Sequence, residues 1–98
     1  VIVSGWDLAE NMYRVRLLDA AAEELGKLDK SVARRIVERV NWLAENLKSV
    51  QLKTLTGEFE GLFKLRVGDY RVVYELIHNE QMIIVHAIGH RREIYRKR

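Results

Sequence analysis

The sequence predicts an α+β fold with the element order βααβββ, in which an N-terminal helical hairpin packs on a small, mostly antiparallel sheet. Three observations lead to this prediction. Apolar and charged residues alternate over 13–17, apolar residues recur every three or four positions over 32–47, and three alternating or apolar segments follow between 62 and 88. Alternation is typical of a strand with one buried face, and recurrence every three or four residues is typical of an amphipathic helix.

The first three elements follow from these patterns. Residues 13–17 predict the first strand. Asp19 is a suitable N-cap for a short, alanine-rich helix ending near Leu28, because its carboxylate can accept hydrogen bonds from free amides of the first turn. Asp29 offers a cap for a longer helix that reaches about Leu47. The outward face of this longer helix should carry Arg34, Arg35, Glu38, Arg39 and Glu45, and such a face is more often solvated than a binding surface.

Three strands should follow a turn at 54–61 that contains two glycines. In chain order, the strands are predicted at 62–67, 70–77 and 81–88. Gly68 and Asp69 supply a tight turn between the first two. The last strand is almost continuously apolar, which predicts that both of its faces are covered. A short C-terminal helix completes the predicted fold.

Length and composition fit one compact globular domain. Of the 98 residues, 48% are hydrophobic and 32% are charged, and a second core would leave each half too small to offset its conformational entropy. We expect this domain to span 12–98, with Met12 as a candidate native start and residues 1–11 as an N-terminal extension of uncertain status.

The chain contains no cysteine and no apolar run long enough to span a bilayer. The absence of cysteine excludes disulfides, thiolate nucleophiles and thiolate metal sites. Together the two observations predict a cytoplasmic protein with no membrane partner.

The excess positive charge lies at the end of the sequence. Residues 91–98 carry five of the 17 basic residues and one of the 14 acidic ones, so this segment is +4 and the remaining chain is −1. Such a segment can attract nucleic acid, or it can be a solvated tail that keeps the protein soluble. Tyr95 stands among these cations, where its ring can stack on a nucleobase or anchor a terminal helix.

A second group of cations should share one face of the sheet. If the apolar residues of the 62–67 strand face the helices, Lys64 and Arg66 point to the opposite side, because successive side chains alternate. The two hairpins place Arg71, Arg91 and Arg92 alongside. Burying so many like charges would be costly, so this face is either wet or matched by an anion. The simpler interpretation is the solvent side of a half-covered sheet.

The histidines do not form a metal-site pattern. His78 lies in a turn, His86 is expected to be a hydrogen-bonded core residue, and His90 follows the last strand and joins the basic rim. No cysteine or tight acidic cluster completes a coordination sphere, so we expect no metal and no other cofactor. Glu58 and Glu60 are interpreted as surface charges, with one of them a less favoured candidate general base.

Three segments carry a family pattern. They are Leu55-Thr56-Gly57, the run from Leu62 to Tyr74 that contains Gly-Asp-Tyr-Arg-Val-Val-Tyr, and Ile88 to Tyr95 with Gly-His-Arg-Arg-Glu-Ile-Tyr. This pattern resembles the RelE branch of the RelE/ParE toxin superfamily. The element order matches from Met12 to Arg98, and residues 1–11 lie outside it. The resemblance is specific for the superfamily and less so for activity.

The resemblance implies a ribosome-dependent endoribonuclease that cuts messenger RNA in the A site. Its chemistry is metal-free attack of a ribose 2′-hydroxyl on the adjacent phosphorus, leaving a cyclic phosphate and a 5′-hydroxyl. Matched to the family, Arg71 would bind the scissile phosphate, Arg91 would neutralise developing charge, Lys64 would bind phosphate or help transfer a proton, and Tyr95 would stack on the base or orient its ribose. The expected RNA-binding residues are Arg66, Arg92, Arg96, Lys97 and Arg98.

The chain departs from the family pattern at two places. Leu62 replaces a second family lysine, and the spacing from Arg91 to Tyr95 is shorter than in the best-known RelE pattern. The general base is therefore open among Lys64, His90 and a turn glutamate.

The resemblance also implies partners. These are a cognate RelB-like antitoxin, the ribosome with its messenger RNA and 16S rRNA, and operator DNA bound by a toxin–antitoxin hetero-oligomer. Two alternatives stay open, a ParE-like inhibitor of DNA gyrase and a non-catalytic nucleic-acid-binding module.

Overall fold

The computed structural model describes residues 13–47 and 61–94, and within these ranges it confirms the order βααβββ. The elements are strand β1 (Arg14–Leu17), helices α1 (Asp19–Gly26) and α2 (Lys30–Asn46), and strands β2 (Phe63–Val67), β3 (Tyr70–Ile77) and β4 (Met82–His90). A 3-10 turn, His78–Glu80, joins β3 to β4. The N-terminal extension and most of the predicted turn at 54–61 lie outside the described residues.

The described strands form one sheet in the order β1-β4-β3-β2. The β2–β3 and β3–β4 pairs are antiparallel, whereas β1 runs parallel to β4. The prediction of a mostly antiparallel sheet is confirmed. Strand β4, the last in the sequence, therefore lies inside the sheet, and β1 and β2 lie at its edges.

One hydrophobic core holds both helices against the sheet. Its helical residues are at most 6% exposed and comprise Ala21 of α1 and Ile36, Val40, Leu43 and Ala44 of α2. They pack on the inward-facing residues of β2, β3 and β4, namely Leu65, Val67, Val72, Tyr74, Ile83, Val85 and Ile88. Full burial of one such aliphatic side chain contributes about 1.5–3 kcal/mol. The ring of Tyr74 stacks on Phe63, and burial raises the pKa of Tyr74 to about 12.

Strand β4 is longer than predicted and is buried on one face only. The residues that enter the core are Ile83, Val85 and Ile88. The residues between them are partly exposed, so the prediction that both faces are covered was wrong. A run of apolar residues cannot distinguish a covered face from one that is only partly shielded. A β-bulge opposite Val73 and Tyr74 also places His86 outside the regular pairing.

The helix starts agree with the predicted positions only in part. Leu18 occupies the N-cap of α1 and Asp19 is the first helical residue, so the predicted N-cap at Asp19 was wrong. In the first turn, the negative charge of Asp19 still interacts favourably with the helix dipole. Asp29 is the N-cap of α2 as predicted, although its side chain makes no capping hydrogen bond.

Glu24 of α1 bonds β4 beyond the point where β1 ends. Strand β1 stops at Leu17, while the Glu24 carboxylate accepts a hydrogen bond from the Ile88 amide at 2.8 Å. A buried strand amide without a partner would be costly. This contact fixes α1 on the end of β4, from which His90 and Arg91 continue.

Among the described residues, no helix is long and apolar enough to cross a membrane.

Candidate active site

The β2–β3 turn holds the side chain of Arg71. Gly68, with φ +60°, allows the tight turn, since this left-handed conformation is costly for residues with a Cβ atom. The Nη1 atom of Arg71 donates hydrogen bonds to the carbonyl oxygens of Gly68 and Tyr70, both at 2.9 Å. Within the described ranges, Nη2 and Nε have no hydrogen-bond partner, so these donors can face a substrate phosphate.

The same turn holds Arg91. The Arg91 amide donates to the carbonyl oxygen of Asp69 at 2.7 Å, and its Nε lies 3.6 Å from the Asp69 carboxylate. The side chains of Arg91 and Asp69 are 48% and 68% exposed, so the ion pair itself contributes at most about 1 kcal/mol. Its effect is to orient the guanidinium. Three consecutive residues, 68–70, thus anchor both candidate catalytic arginines.

His90 lies beside this turn. It pairs with Tyr70 in the β3–β4 register, and the two rings meet edge to face at a centroid distance of 5.5 Å. The Arg92 amide donates to Nδ1 of His90 at 3.1 Å. When Nδ1 accepts this bond in the neutral ring, the proton resides on Nε2, which is then a hydrogen-bond donor.

Ile94 fastens the segment that carries Arg91 to the sheet. Residues 91–94 form turns after β4, and the amides of Glu93 and Ile94 both donate to the His90 carbonyl at 2.9 Å. Ile94 is 3% exposed and packs on fully buried Val73, on the face opposite the main core. Gly89 lies against it, since a Cβ atom there would be 3.4 Å from the Ile94 Cβ, at van der Waals distance.

Strand β2 brings two further cations alongside. Arg66 is the register partner of Arg71, and Lys64 is the register partner of Val73. Because Val73 belongs to the small cluster with Ile94, Lys64 lies on the face where residues 91–94 dock. Arg66 is exposed and Lys64 is partly exposed. The structure therefore brings Lys64, Arg66 and Arg71 to the face where the segment with Arg91 and Arg92 docks, whereas His90, the partner of Tyr70, lies at the same end of the sheet on the core side.

The other sequence-derived site candidates are not among the residues that the structure describes. Tyr95, Arg96, Lys97 and Arg98, where the short C-terminal helix was predicted, are outside the described residues, as are Glu58 and Glu60.

The remaining histidines are bonded to neighbours outside this site. His86 is not the core residue that was predicted. Its side chain is 32% exposed, and Nε2 lies 2.9 Å from the Glu75 carboxylate. Strand alternation explains why it lies outside the core, since the preceding residue, Val85, points into the core. His78 lies in its turn as predicted, with Nδ1 2.7 Å from the Tyr13 hydroxyl.

Sequence reasoning missed two residues that position the site, Asp69 and Ile94. Asp69 was assigned to turn formation only, although the Gly-Asp turn faces the end of β4. Ile94 stands alone among polar residues, which is a weak signal for burial. In the described ranges, no three His, Cys, Asp or Glu side chains lie close enough to hold a metal ion. The expectation of a metal-free site stays a prediction.

Comparisons with known proteins place this arrangement in a family. A family model described as "ParE toxin of type II toxin-antitoxin system, parDE" matches residues 15–95. The chain is 32% identical over 87 residues to Toxin RelE of Mycobacterium tuberculosis, covering 89% of this chain and 90% of that protein.

The chain belongs to the RelE/ParE family of type II toxin–antitoxin toxins.

Further similarities agree with this membership. The chain is 28% identical over 81 residues to a putative RelE-like toxin protein of Escherichia coli, covering 81% of this chain and 83% of that protein. The solved RelBE2 toxin–antitoxin complex of Mycobacterium tuberculosis contains a chain that matches with a TM-score of 0.73 and 28% identity, covering 84% of this chain and 94% of that one. The RelE resemblance inferred from the strand and tail motifs is confirmed, and this RelE-family chain is a type II toxin.

Proposed function

We propose that this RelE-family toxin is a ribosome-dependent endoribonuclease that cuts messenger RNA in the A site. The observation that carries the proposal is the anchoring of Arg71 and Arg91 on one turn, residues 68–70. Two permanent cations anchored on the same turn suit a phosphate that gains charge during the reaction.

The cleavage step needs no group beyond the nucleotide and the chain's own side chains. The ribose 2′-oxygen forms a bond to the adjacent phosphorus, and the bond from phosphorus to the 5′-oxygen breaks. The 2′-hydroxyl loses a proton to a base, and the leaving 5′-oxygen gains one from an acid. Arg71 binds the scissile phosphate, while Arg91 stabilises the added negative charge in the transition state.

The hydrogen bonding of His90 argues against the role of general base. Its Nδ1 accepts from the Arg92 amide, so the neutral ring presents Nε2–H, which can donate a hydrogen bond to a phosphate oxygen but has no free nitrogen to accept the 2′-hydroxyl proton. Lys64, on the same face as the arginines, is then the described candidate for phosphate binding or proton transfer. Tyr95 would stack on the base.

A RelB-like antitoxin is the proposed partner. The support is that the solved chains similar to this one include the RelBE2 complex of Mycobacterium tuberculosis and the RelE–RelB complex of Pyrococcus horikoshii, the latter at a TM-score of 0.66 and 26% identity. An acidic or amphipathic antitoxin segment could neutralise the basic corner around Arg91. Contact with 16S rRNA and binding of operator DNA by the toxin–antitoxin complex belong to the same proposal.

The proposal is tested by mapping messenger 5′ ends on translating ribosomes after brief toxin expression. Wild-type toxin should cut within A-site codons. Arg71→Ala and Arg91→Ala should each lower the cleavage rate about 10²–10³-fold, the usual effect of removing one donor that stabilises transition-state charge. Arg16→Ala is a matched control, because Arg16 is an exposed arginine on β1, at the opposite edge of the sheet.

The same experiment tests the ParE-like alternative, which the description of the matching family model favours. Growth arrest with an SOS response and no messenger cuts would support gyrase inhibition. Equal cleavage by Arg16→Ala and both site variants would contradict the assigned site.

A further inference from the structure

A basic groove lies between helix α2 and strand β2, beside the candidate active site. Its volume is about 430 Å³. Helix α2 lines it with four residues spaced on one helical face, namely Arg35, Glu38, Arg39 and Trp42, and β2 adds Arg66. The helix was expected to present a solvated face here, and the structure shows that part of this face forms a concave surface.

The groove is continuous with the turn that holds the catalytic arginines. A smaller adjoining cavity of about 210 Å³ shares Arg35 and Gly68 with it and reaches Asp69 and Tyr70. Asp69 is the residue that orients Arg91, and Tyr70 packs on His90. An extended ligand in the groove would therefore reach the β2–β3 turn on which Arg71 and Arg91 are anchored.

The charges of the groove are not neutralised by the described part of the chain. Among all the described residues, the ion pairs are His86 with Glu75 and Arg91 with Asp69. None involves Arg35, Arg39 or Arg66, and the carboxylate among the groove residues is Glu38, which leaves a net charge of +2. Because arginine stays charged at any accessible pH, the groove attracts anions.

Trp42 adds a stacking surface to these charges. The indole is 41% exposed, and the Arg39 guanidinium lies 4.7 Å from the ring centroid. An exposed aromatic ring beside a track of cations is the usual combination for single-stranded nucleic acid, in which the ring stacks on a base and the cations contact phosphates. An acidic peptide without aromatic side chains would match the charges but would give the indole no stacking partner.

We propose that this groove binds a single-stranded RNA segment that flanks the nucleotide at the active site. One base would stack on Trp42, and Arg35, Arg39 and Arg66 would contact the phosphates. RNA as the ligand rests on the proposed function. The groove itself belongs to the substrate path outside the catalytic residues.

The test measures RNA binding by the full chain with cleavage disabled by Arg71→Ala. The sequence contains two tryptophans, Trp6 and Trp42, so Trp6→Phe leaves the groove indole as the single tryptophan. The protein is titrated with a single-stranded RNA oligonucleotide of about 10 nucleotides, which is long enough for one binding module. The anisotropy and the intensity of the tryptophan fluorescence are recorded. We expect saturable quenching of Trp42.

Charge reversal on α2 then tests which face binds. Arg35→Glu with Arg39→Glu should weaken binding by about 10-fold or more and lower the salt slope by about 1.4, the contribution of two phosphate contacts on a single strand. Lys30→Glu with Arg34→Glu is the matched control. These residues are exposed on the same helix, four positions apart, and give the same change of charge. This control pair should change the affinity for RNA less than about 3-fold, since it alters only the long-range electrostatic attraction. Circular dichroism and urea unfolding verify that both pairs fold.

Three outcomes would overturn the proposal. They are equal weakening by the two pairs, no fluorescence change at saturating RNA, and binding of poly-glutamate with the same affinity and quenching, which would assign the groove to an acidic protein. Ribosome assays of the same charge reversals in catalytically intact toxin separate this proposal from the proposed function. If the charge reversals leave A-site cleavage unchanged, the proposed nuclease function stands and the proposed role of the groove is wrong. If the oligonucleotide binds in the groove but wild-type toxin makes no A-site cut, the groove stands and the proposed nuclease function is wrong.

Discussion

Truncating Ile94 to alanine should lower cleavage by releasing the segment that carries Arg91. Ile94 is 3% exposed and packs on Val73. The substitution removes three carbon groups, worth about 0.8 kcal/mol each, or about 2.4 kcal/mol together. If all of this free energy holds residues 91–94 against the sheet, its loss should lower the cleavage rate by at most about 50-fold. The Arg91 amide bond to Asp69 keeps part of the geometry, so the observed loss should lie between about 5- and 50-fold.

The assay is single-turnover cleavage of messenger RNA on programmed ribosomes, with urea unfolding measured in parallel. Ile77→Ala is the control, because Ile77 is a partly exposed isoleucine on β3 outside the Ile94 cluster. The decisive comparison is a double-mutant cycle. If Ile94 acts through Arg91, Ile94→Ala should have little further effect in an Arg91→Ala background. Full additivity, or wild-type cleavage by Ile94→Ala, would show that docking of this turn does not position Arg91.

Other perturbations give equally direct results. Gly68→Ala should lower the free energy of unfolding by about 1–2 kcal/mol, because φ is +60° there. Gly26→Ala, at the end of α1 with open space around its Cβ position, should be neutral or stabilising by up to about 1 kcal/mol. Equal urea midpoints for the Gly68→Ala and Gly26→Ala variants would contradict this difference between the two glycines. Because burial raises the pKa of Tyr74 from 10.0 to about 12, the unfolded chain loses this proton first. The free energy of unfolding should therefore fall as pH rises from 10 to 12, by up to about 2.7 kcal/mol, and this component should vanish in Tyr74→Phe. Toxin stripped with EDTA and returned to magnesium-containing ribosomes should cut at the untreated rate, and a loss that zinc or manganese restores would require a metal mechanism. Deleting residues 95–98 should abolish growth arrest and weaken antitoxin binding without abolishing it, whereas full toxicity at matched protein levels would remove Tyr95 and the basic tail from the site.

Much of the fold was predictable because its local patterns agree with its tertiary contacts. The predicted bounds of β3 coincide with the observed Tyr70–Ile77, since a Gly-Asp turn and a polar turn delimit a β-rich run. The N-cap of α1 was not predictable, because Leu18 and Asp19 compete within one residue of each other and packing decides between them. The parallel pairing of β1 with β4 could not be predicted from the sequence either, since alternation indicates which face of a strand is buried but not which strands lie beside it.

The candidate site was predictable as a set of cations but not as a geometry. Strand alternation placed Lys64 and Arg66 on one face, and the hairpins added Arg71 and Arg91. The sequence could not show that the Arg71 guanidinium folds back onto its own turn, nor that Asp69 bonds Arg91. These contacts depend on side-chain rotamers and on the tight turn at Gly68. The groove at Arg35, Arg39 and Trp42 was missed because charges on an amphipathic helix are usually solvated.

The position of β4 within the sheet has a consequence for synthesis of the chain. Arg14 of β1 pairs with Met82 of β4, so the first strand and both helices leave the ribosome before the strand against which they pack has been made. Until then the helices lack much of their apolar contact surface, and the long-range closure that completes the sheet comes late. The β2–β3 hairpin can form earlier, but Arg91 follows β4 directly. The core and the contacts that hold Arg91 on the β2–β3 turn are therefore completed in the same step, after β4 has been made.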